Sequence, residues 1–368
     1  MIGGCFQSRL GTADNSPALQ GWVSSPSLIC ILGKVFGRLS GTWFSFRNVP
    51  SAEALGYYRD APPGLSFADL RRLCFDWLRS AKLAVPMNLA DPTAKFDNLP
   101  AMSSIAREAG ALLMEYFDRN IKIEYKGEAD LVTAADRKSE TLIRERIRQT
   151  WPGHDVLGEE EGLRDTGSEY RWYVDPLDGT TNFAHGFPVF CVSMALQHKN
   201  ETVAGVCYDP TRDELFAAER GKGAYLNDRA IHVSKIAKLA ESLVGTGFPS
   251  HKRHKNPNIY FYHQITLRSH GVRRAGSAAL DMCYVACGRL DGFWEFNLNP
   301  WDTAAGVLLV EEAGGRVSDF HGGPFQLHSR ETVASNGLIH DALLHEFEQI
   351  FAGRGLEPLA DPREYLKK

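Results

Sequence analysis

From Ser103 onward, Ile105, Ala109, Leu112, Leu113, Tyr116 and Phe117 recur at three- and four-residue steps, a spacing that predicts an amphipathic helix. The stretch DLVTAADRKSETLIRERIRQTW predicts a second helix, with Thr133 as N-cap, Asp136 in the first turn and Leu142, Ile143 and Ile147 facing inward. The period then changes from helix to strand. HDVLGEE, YRWYVDP, VFCVSMALQHK, TVAGVCYDP, ELFAAER and GAYLN read as strands joined by short turns, which predicts a largely antiparallel sheet. Beyond Ile231, strand and helix patterns alternate through SLVGTGF, GVRRAGSAALDMCYVACGRL, GFWEF and WDTAAGVLLVEEAGG. No internal repeat or low-complexity tract interrupts this series.

The first hundred residues are patterned differently. One amphipathic stretch, SFADLRRLCFDWLRSAK, stands among scattered glycine, serine and proline, and VPMNLADPTAKFDNLP reads as a linker. Residues 1–101 carry ten lysines and arginines against seven acids, whereas the remainder carries 31 against 38. The expected organisation is therefore an N-terminal extension over 1–101 with no assigned function, an α+β half over 102–230, an α/β half over 231–350 and a tail over 351–368. The extension is expected to be disordered or the product of a mis-called start. On the second expectation the natural chain begins at Met87 or Met102, and native peptides from upstream of Met87 would overturn it.

At 368 residues and 43% hydrophobic content, the chain can bury a large core, as two domains or as one layered unit. A net charge of −4 and a pI near 6.3 give no electrostatic footprint for nucleic acid or an anionic membrane. The seven cysteines, at positions 5, 30, 74, 191, 207, 283 and 287, form no CxxC pair. Cys283 and Cys287 have the helical spacing of packing residues, and a reduced, cytoplasmic setting is the economical reading. The apolar run LICILGKVFG is broken by Gly33 and Lys34 and is too short to span a bilayer. It also lacks the basic flank and cleavage site of a signal peptide.

The candidate chemistry lies in the acids. In WYVDPLDG a strand delivers Asp175, Pro176 stiffens the turn, and Asp178 returns to the same point, with the Leu177 carbonyl free between them. Like charges held this close need a cation, and an oxygen-only set suits Mg²⁺. The bare DPxDG pattern fits an ordinary Asp-Pro turn equally well. GTTNF follows, where Gly179 admits close backbone approach and Thr180 and Thr181 open a short helix whose amides favour an anion. VLGEEEG adds Glu159, Glu160 and Glu161 after an apolar strand, with at least one side chain expected to point inward. In NPWDTAAGVLLVEEAGG, Asp302 is expected to be the N-cap of an apolar helix ending at Gly314 or Gly315, a role that capping alone explains but that leaves one oxygen for a metal.

With GEEEG, DPLDGTTNF and PWDTAAG in this order, and AGSAALDMC leading without a gap into WEFNLNPWD, the chain resembles the inositol monophosphatase family over about residues 103 to 346. The resemblance implies a layered α/β sandwich of alternating helix and sheet layers, and a Mg²⁺-dependent, lithium-sensitive phosphatase with two or three ions. It makes Glu159, Asp175, Asp178, Asp302 and the Leu177 carbonyl the metal ligands. Asp136 and Thr180 match the pair that orients and deprotonates the attacking water, with Glu160 assisting. Gly179, Thr180, Gly276, Ser277 and Ala278 match contacts to phosphate and substrate, and Glu295 matches a residue that binds a sugar or cyclitol hydroxyl. KGEAD, from Lys126 to Asp130, departs from the animal enzymes by one residue and looks like the bacterial form. His185, beside a glycine in a loop, is left without a role, and HKRHK, from His251 to Lys255, reads as a solvated loop.

The implied reaction is hydrolysis of inositol 1-phosphate or a similar polyol monophosphate by metal-activated water, without a covalent phosphoenzyme. Related enzymes act on histidinol phosphate, fructose 1,6-bisphosphate or 3′-phosphoadenosine 5′-phosphate, but Glu295 would repel a second phosphate placed beside it. A homodimer with no direct nucleic-acid or membrane binding is expected. The alternative from another class is a regulatory protein of transcription complexes, as some bacterial relatives are.

Overall fold

A computed structural model describes residues 98–117, 124–125, 131–132, 134–248 and 256–365, all within the unit Thr93–Lys368. The stretch SFADLRRLCFDWLRSAK, the Lys126–Asp130 loop, Thr133 and the His251–Lys255 run lie outside the described residues.

Helix α1 (Leu99–Phe117) starts four residues before the periodicity becomes evident, so it takes in the end of the expected linker and runs through the line drawn at residue 101. Its Met102, Ile105, Ala106, Ala109 and Leu113 are buried. Strands β1 (Glu124–Tyr125) and β2 (Leu131–Val132) pair antiparallel. Helix α2 (Ala134–Thr150) has an inward face of two characters. Ile143 and Ile147 are the apolar part, with Leu142 partly buried at its edge, while Asp136, Ser139 and Glu140 are buried in the first two turns.

The large sheet holds β3 (Asp155–Gly158), β4 (Gly162–Arg164), β5 (Tyr170–Asp178), β6 (Cys191–His198), β7 (Glu201–Asp209), β8 (Glu214–Glu219), β9 (Ala224–Leu226) and β10 (Arg229–Ile231). Their order is β10-β9-β8-β7-β6-β5-β3-β4, antiparallel throughout except for the β3–β5 pair. The one-turn helix α3 (Thr180–Ala184) follows β5. A second sheet has the order β12-β11-β13-β15-β14, from β11 (Leu243–Thr246), β12 (Gly271–Arg273), β13 (Gly292–Phe296), β14 (Arg316–Ser318) and β15 (Glu331–Ser335). It is mixed, with β11 parallel to both of its neighbours and β15 antiparallel to both of its own.

Four further helices, α4 (Asn258–Arg268), α5 (Ala278–Ala286), α6 (Pro300–Glu312) and α7 (His340–Phe351), complete the layers. Side chains alternate across a strand, so each sheet feeds two cores. Trp172 and Val174 of β5 pack with Met102, Ile105, Ile143 and Ile147 on the side of α1 and α2. Tyr173, between them, packs instead with Leu280, Met282, Leu308 and Leu309 of α5 and α6. On the second sheet Phe293 and Ala334 join that same central core, while Trp294 and Val333 pack with Phe261, Ile265, Leu343 and Phe347 of α4 and α7. The result is a five-layer α/β/α/β/α sandwich. Helices cover both faces of each sheet, which is why β5 and β6 are buried along most of their length.

Candidate active site

The site grows from the end of β5. Parallel pairing sets Gly158 of β3 opposite Val174, and the Glu159 amide donates to the Val174 carbonyl at 3.2 Å, so Glu159 emerges beside Asp175. Asp175 pairs with Ser193 and Asp178 with Cys191, so three steps on β5 face two on β6. That bulge re-aims Asp178, the usual effect of an extra residue in one strand. The Leu177 amide donates to Asp175 Oδ1 at 2.9 Å, and Asp178 Oδ2 accepts from Ser277 Oγ and the Ala279 amide, each at 2.7 Å.

Asp302 does not cap α6. Asn299 is the N-cap and Pro300 begins the helix, while Asp302 stands at N3 and accepts the Asn299 amide on Oδ2 at 2.7 Å, the reciprocal half of a capping box. The misplacement comes from reading the proline as outside the helix, whereas Pro is favoured at N1. The Asp302 carboxylate holds the Asn299 backbone and also meets the side chain of Asp175. The helix ends at Glu312, with Ala313 as C-cap and Gly314 beyond it.

Four acids meet here electrostatically. Asp175 is pushed well above the usual carboxylate range by burial and then by the charges of Glu159, Asp178 and Asp302. Burial lifts Asp178 to about 6, against the hydrogen bonds from Ser277 and Ala279. Asp302 rises to about 7 through burial and the charge of Asp178. Among the described residues, no three His, Cys, Asp or Glu side chains already stand as a closed metal cluster. The donors are nonetheless all oxygens, and the carboxylates among them carry like charges, the set that a hard divalent cation neutralises.

On the next face, Thr180 Oγ1 lies 3.2 Å from Asp136 Oδ1 and 3.1 Å from the Leu177 carbonyl. That carbonyl is therefore not free, as the sequence reading had it, but shared with Thr180, which leaves its second lone pair. Gly179 makes the approach possible: its φ is 98°, and a Cβ there would stand 2.8 Å from the Val189 carbonyl. Glu160 is partly buried, whereas Glu161 is exposed and its carboxylate lies 3.5 Å from Arg144 Nε.

The third wall comes from the second sheet and α5. Asn182, buried after GTT, donates from Nδ2 to the carbonyls of Val189 at 2.7 Å, Ala275 at 2.9 Å and Gly276 at 3.3 Å. It ties the β5 turn to the AGSAA loop, a role no sequence signal announced because Ala275 and Gly276 offer backbone atoms from 93 and 94 residues away. Ser277 is buried as the N-cap of α5 with its hydroxyl on Asp178, so its side chain steadies an acid of the site. Ala278 opens the same helix. Glu295 of β13 is raised well above the usual range by burial, then by Asp281, Asp302 and Asp178, with Arg274 opposing. It thus stands within electrostatic reach of Asp178 and Asp302. Asp281 Oδ1 in α5 is buried without a hydrogen-bond partner. His185 is exposed.

Residues 97–352 match the inositol monophosphatase family. An inositol-1-monophosphatase of Mesorhizobium japonicum is 45% identical over 260 residues, which cover 70% of this chain and 98% of the relative. A Nus factor SuhB of Pseudomonas aeruginosa is 44% identical over 247 residues, covering 65% of this chain and 91% of that protein. Among solved structures, the extragenic suppressor protein suhB of Bartonella henselae has a TM-score of 0.66 and 42% identity, covering 68% of this chain and 98% of its own. The family match spans all three acidic motifs, and the chain belongs to the inositol monophosphatase family of phosphoric monoester hydrolases.

Proposed function

We propose that this chain hydrolyses inositol 1-phosphate or a similar polyol or sugar monophosphate in a Mg²⁺-dependent, lithium-sensitive reaction. The observation that carries this reading is the Thr180 hydroxyl, held between Asp136 and the Leu177 carbonyl at the edge of four acids. Glu159, Asp175, Asp178, Asp302 and the Leu177 carbonyl would hold two or three ions. When bound, Mg²⁺ acidifies water and neutralises charge on phosphoryl and leaving oxygens.

The chain's own residues do the positioning. Thr180 orients the attacking water and Asp136 takes its proton, with Glu160 assisting. The amides at Gly179 and Thr180 hold phosphate oxygens, while Gly276, Ser277 and Ala278 present backbone to phosphate and substrate. Glu295 accepts a hydroxyl of the alcohol and disfavours a second phosphate beside it. The working form is a homodimer in the cytoplasm. Among the described residues no helix is long and apolar enough to cross a membrane.

A panel of inositol 1-phosphate, histidinol phosphate, fructose 1,6-bisphosphate and 3′-phosphoadenosine 5′-phosphate, assayed with Mg²⁺ and with or without Li⁺, tests the assignment. The polyol monoester should be the best substrate; a clear preference for the nucleotide would overturn the order. A second reading, association with a transcription complex, is favoured by the 44% identity to the protein named Nus factor SuhB. Pull-down of RNA polymerase by the wild type and by Asp178→Asn separates binding from turnover.

A further inference from the structure

The buried polar face of α2 has a use that packing does not explain. Asp136, Ser139 and Glu140 stand at i, i+3 and i+4, so they share one side of the helix. Each reaches a different part of the site. Asp136 meets Thr180. Ser139, fully buried, donates from Oγ to the Pro176 carbonyl at 3.0 Å, inside the turn that carries Asp175 and Asp178. Glu140, also fully buried, accepts the Glu160 amide on Oε2 at 2.7 Å and the Glu161 amide on Oε1 at 3.0 Å, inside the turn that carries Glu159.

The β3 backbone comes close enough for this only because residue 158 is glycine. A Cβ there would lie 2.2 Å from Glu140 Oε1. Arg144, one turn on, donates from Nε to Glu140 Oε1 at 2.7 Å. An apolar side chain at position 140 would satisfy the core, and burying a carboxylate there is unfavourable unless donors converge on it. Two of its three donors are the backbone amides directly after Glu159.

We infer that Ser139 and Glu140 are positioning residues: α2 grips the GEEEG turn through Glu140 and the DPLD turn through Ser139, and so fixes the spacing between Glu159 and the Asp175–Asp178 pair. The inference rests on the reading of those acids as metal ligands. In Glu140→Gln the amide NH₂ cannot accept, so one of the donors facing it loses its acceptor while side-chain volume is kept. Outer partners of metal ligands typically govern affinity ten- to a hundredfold. Ser139→Ala removes a single hydrogen bond and should have the smaller effect.

The test is direct Mn²⁺ binding, measured by electron paramagnetic resonance of the free ion on the full chain, with thermal unfolding in EDTA as the check on fold. Glu140→Gln should raise the Mn²⁺ Kd about tenfold or more, and Ser139→Ala about two- to tenfold. Asp175→Asn serves as the control that loses binding. If Mn²⁺ binds the wild type and not Asp175→Asn, yet both α2 variants bind as the wild type does, the metal site stands and the positioning role is overturned. A lower melting temperature in EDTA with an unchanged Kd overturns it equally. If the wild type binds no Mn²⁺, the metal reading falls and takes this inference with it. Should Glu140→Gln fail to fold, the Ser139→Ala Kd decides alone.

Discussion

Asp178 shows how much one residue carries. Its Oδ2 takes two donors, from Ser277 and Ala279, while its charge faces Asp175 and Asp302. Asparagine keeps an acceptor for those donors and removes the charge, so Asp178→Asn should retain the native circular dichroism and lose Mg²⁺-dependent turnover by more than about a hundredfold. Initial rates over a Mg²⁺ titration check this, and near-normal activity refutes the ligand assignment. The same acids set a pH dependence. Asp178 and Asp302, at about 6 and about 7 in the fold, sit above the ordinary carboxyl value, so the native state favours their protonated forms. Their contribution is present below the unfolded carboxyl pKa and is lost as pH rises through 6 and 7. In EDTA the melting temperature should fall over that interval, and Mg²⁺ should raise it far more at pH 8 than at pH 5; an equal Mg²⁺ effect at both would sink the idea. Asp175, Asp178 and Thr180 were legible because they stand within one turn of sequence. Glu140, Asn182 and the hydrogen bond from Ser277 to Asp178 were not, because a polar side chain on a helix face or in a loop has the same sequence signal whether it meets water or a distant partner.

At the scale of elements, strand and helix types were legible from periodicity and their ends were not. The start of α6 was missed by three residues because Pro300 belongs inside the helix, and the start of α1 was missed because Pro100 reads as the end of a linker, although Leu99 and Met102 carry the apolar repeat back into the first turn. The start of α7 holds a feature that no pattern displays. His340 is fully buried there, with Ser318 Oγ at 2.8 Å from Nε2 and Ser335 Oγ at 2.8 Å from Nδ1, so β14 and β15 are pinned to α7 through one neutral ring. Burial, followed by the charge of Arg316 and opposed by Asp341, lowers its pKa to about 4. A depressed folded pKa means the stabilisation is complete above the unfolded value near 6.5 and is lost as pH falls toward 4. At about 1.4 kcal/mol per unit the change is about 3 kcal/mol. Comparing denaturant unfolding of wild type and His340→Gln, the gap between them should shrink by about that amount from pH 7 to pH 4. A gap independent of pH would show that the ring does not stay neutral in the fold.

For the whole molecule, the layered α/β class was legible, since an antiparallel run of strands followed by alternating strands and helices has few ways to bury both faces of two sheets. A division into halves at residues 230 and 231 was drawn from that change of pattern, and it falls one residue short of the end of β10. What pattern cannot convey is that the middle layer is shared. Tyr173, Cys207 and Phe216 from the large sheet, Leu280 and Leu309 from α5 and α6, and Phe293 and Ala334 from the second sheet belong to one buried cluster. Neither sheet can expose its inner face without opening that layer, so both should unfold together. Leu309 is fully buried within it, and Leu309→Ala should destabilise the protein by about 2 to 5 kcal/mol through lost burial and a residual cavity. Hydrogen exchange under mildly destabilising conditions then separates two outcomes. If the core is shared, amides of β6 and of β13 lose protection by the same free energy in the variant. If the halves were independent, α6 would leave with one sheet and the other would keep its protection. A common loss means that the acids from β5 and Glu295 of β13 are held in register by the same layer that holds the fold, so damage far from these acids should lower metal binding and stability in step.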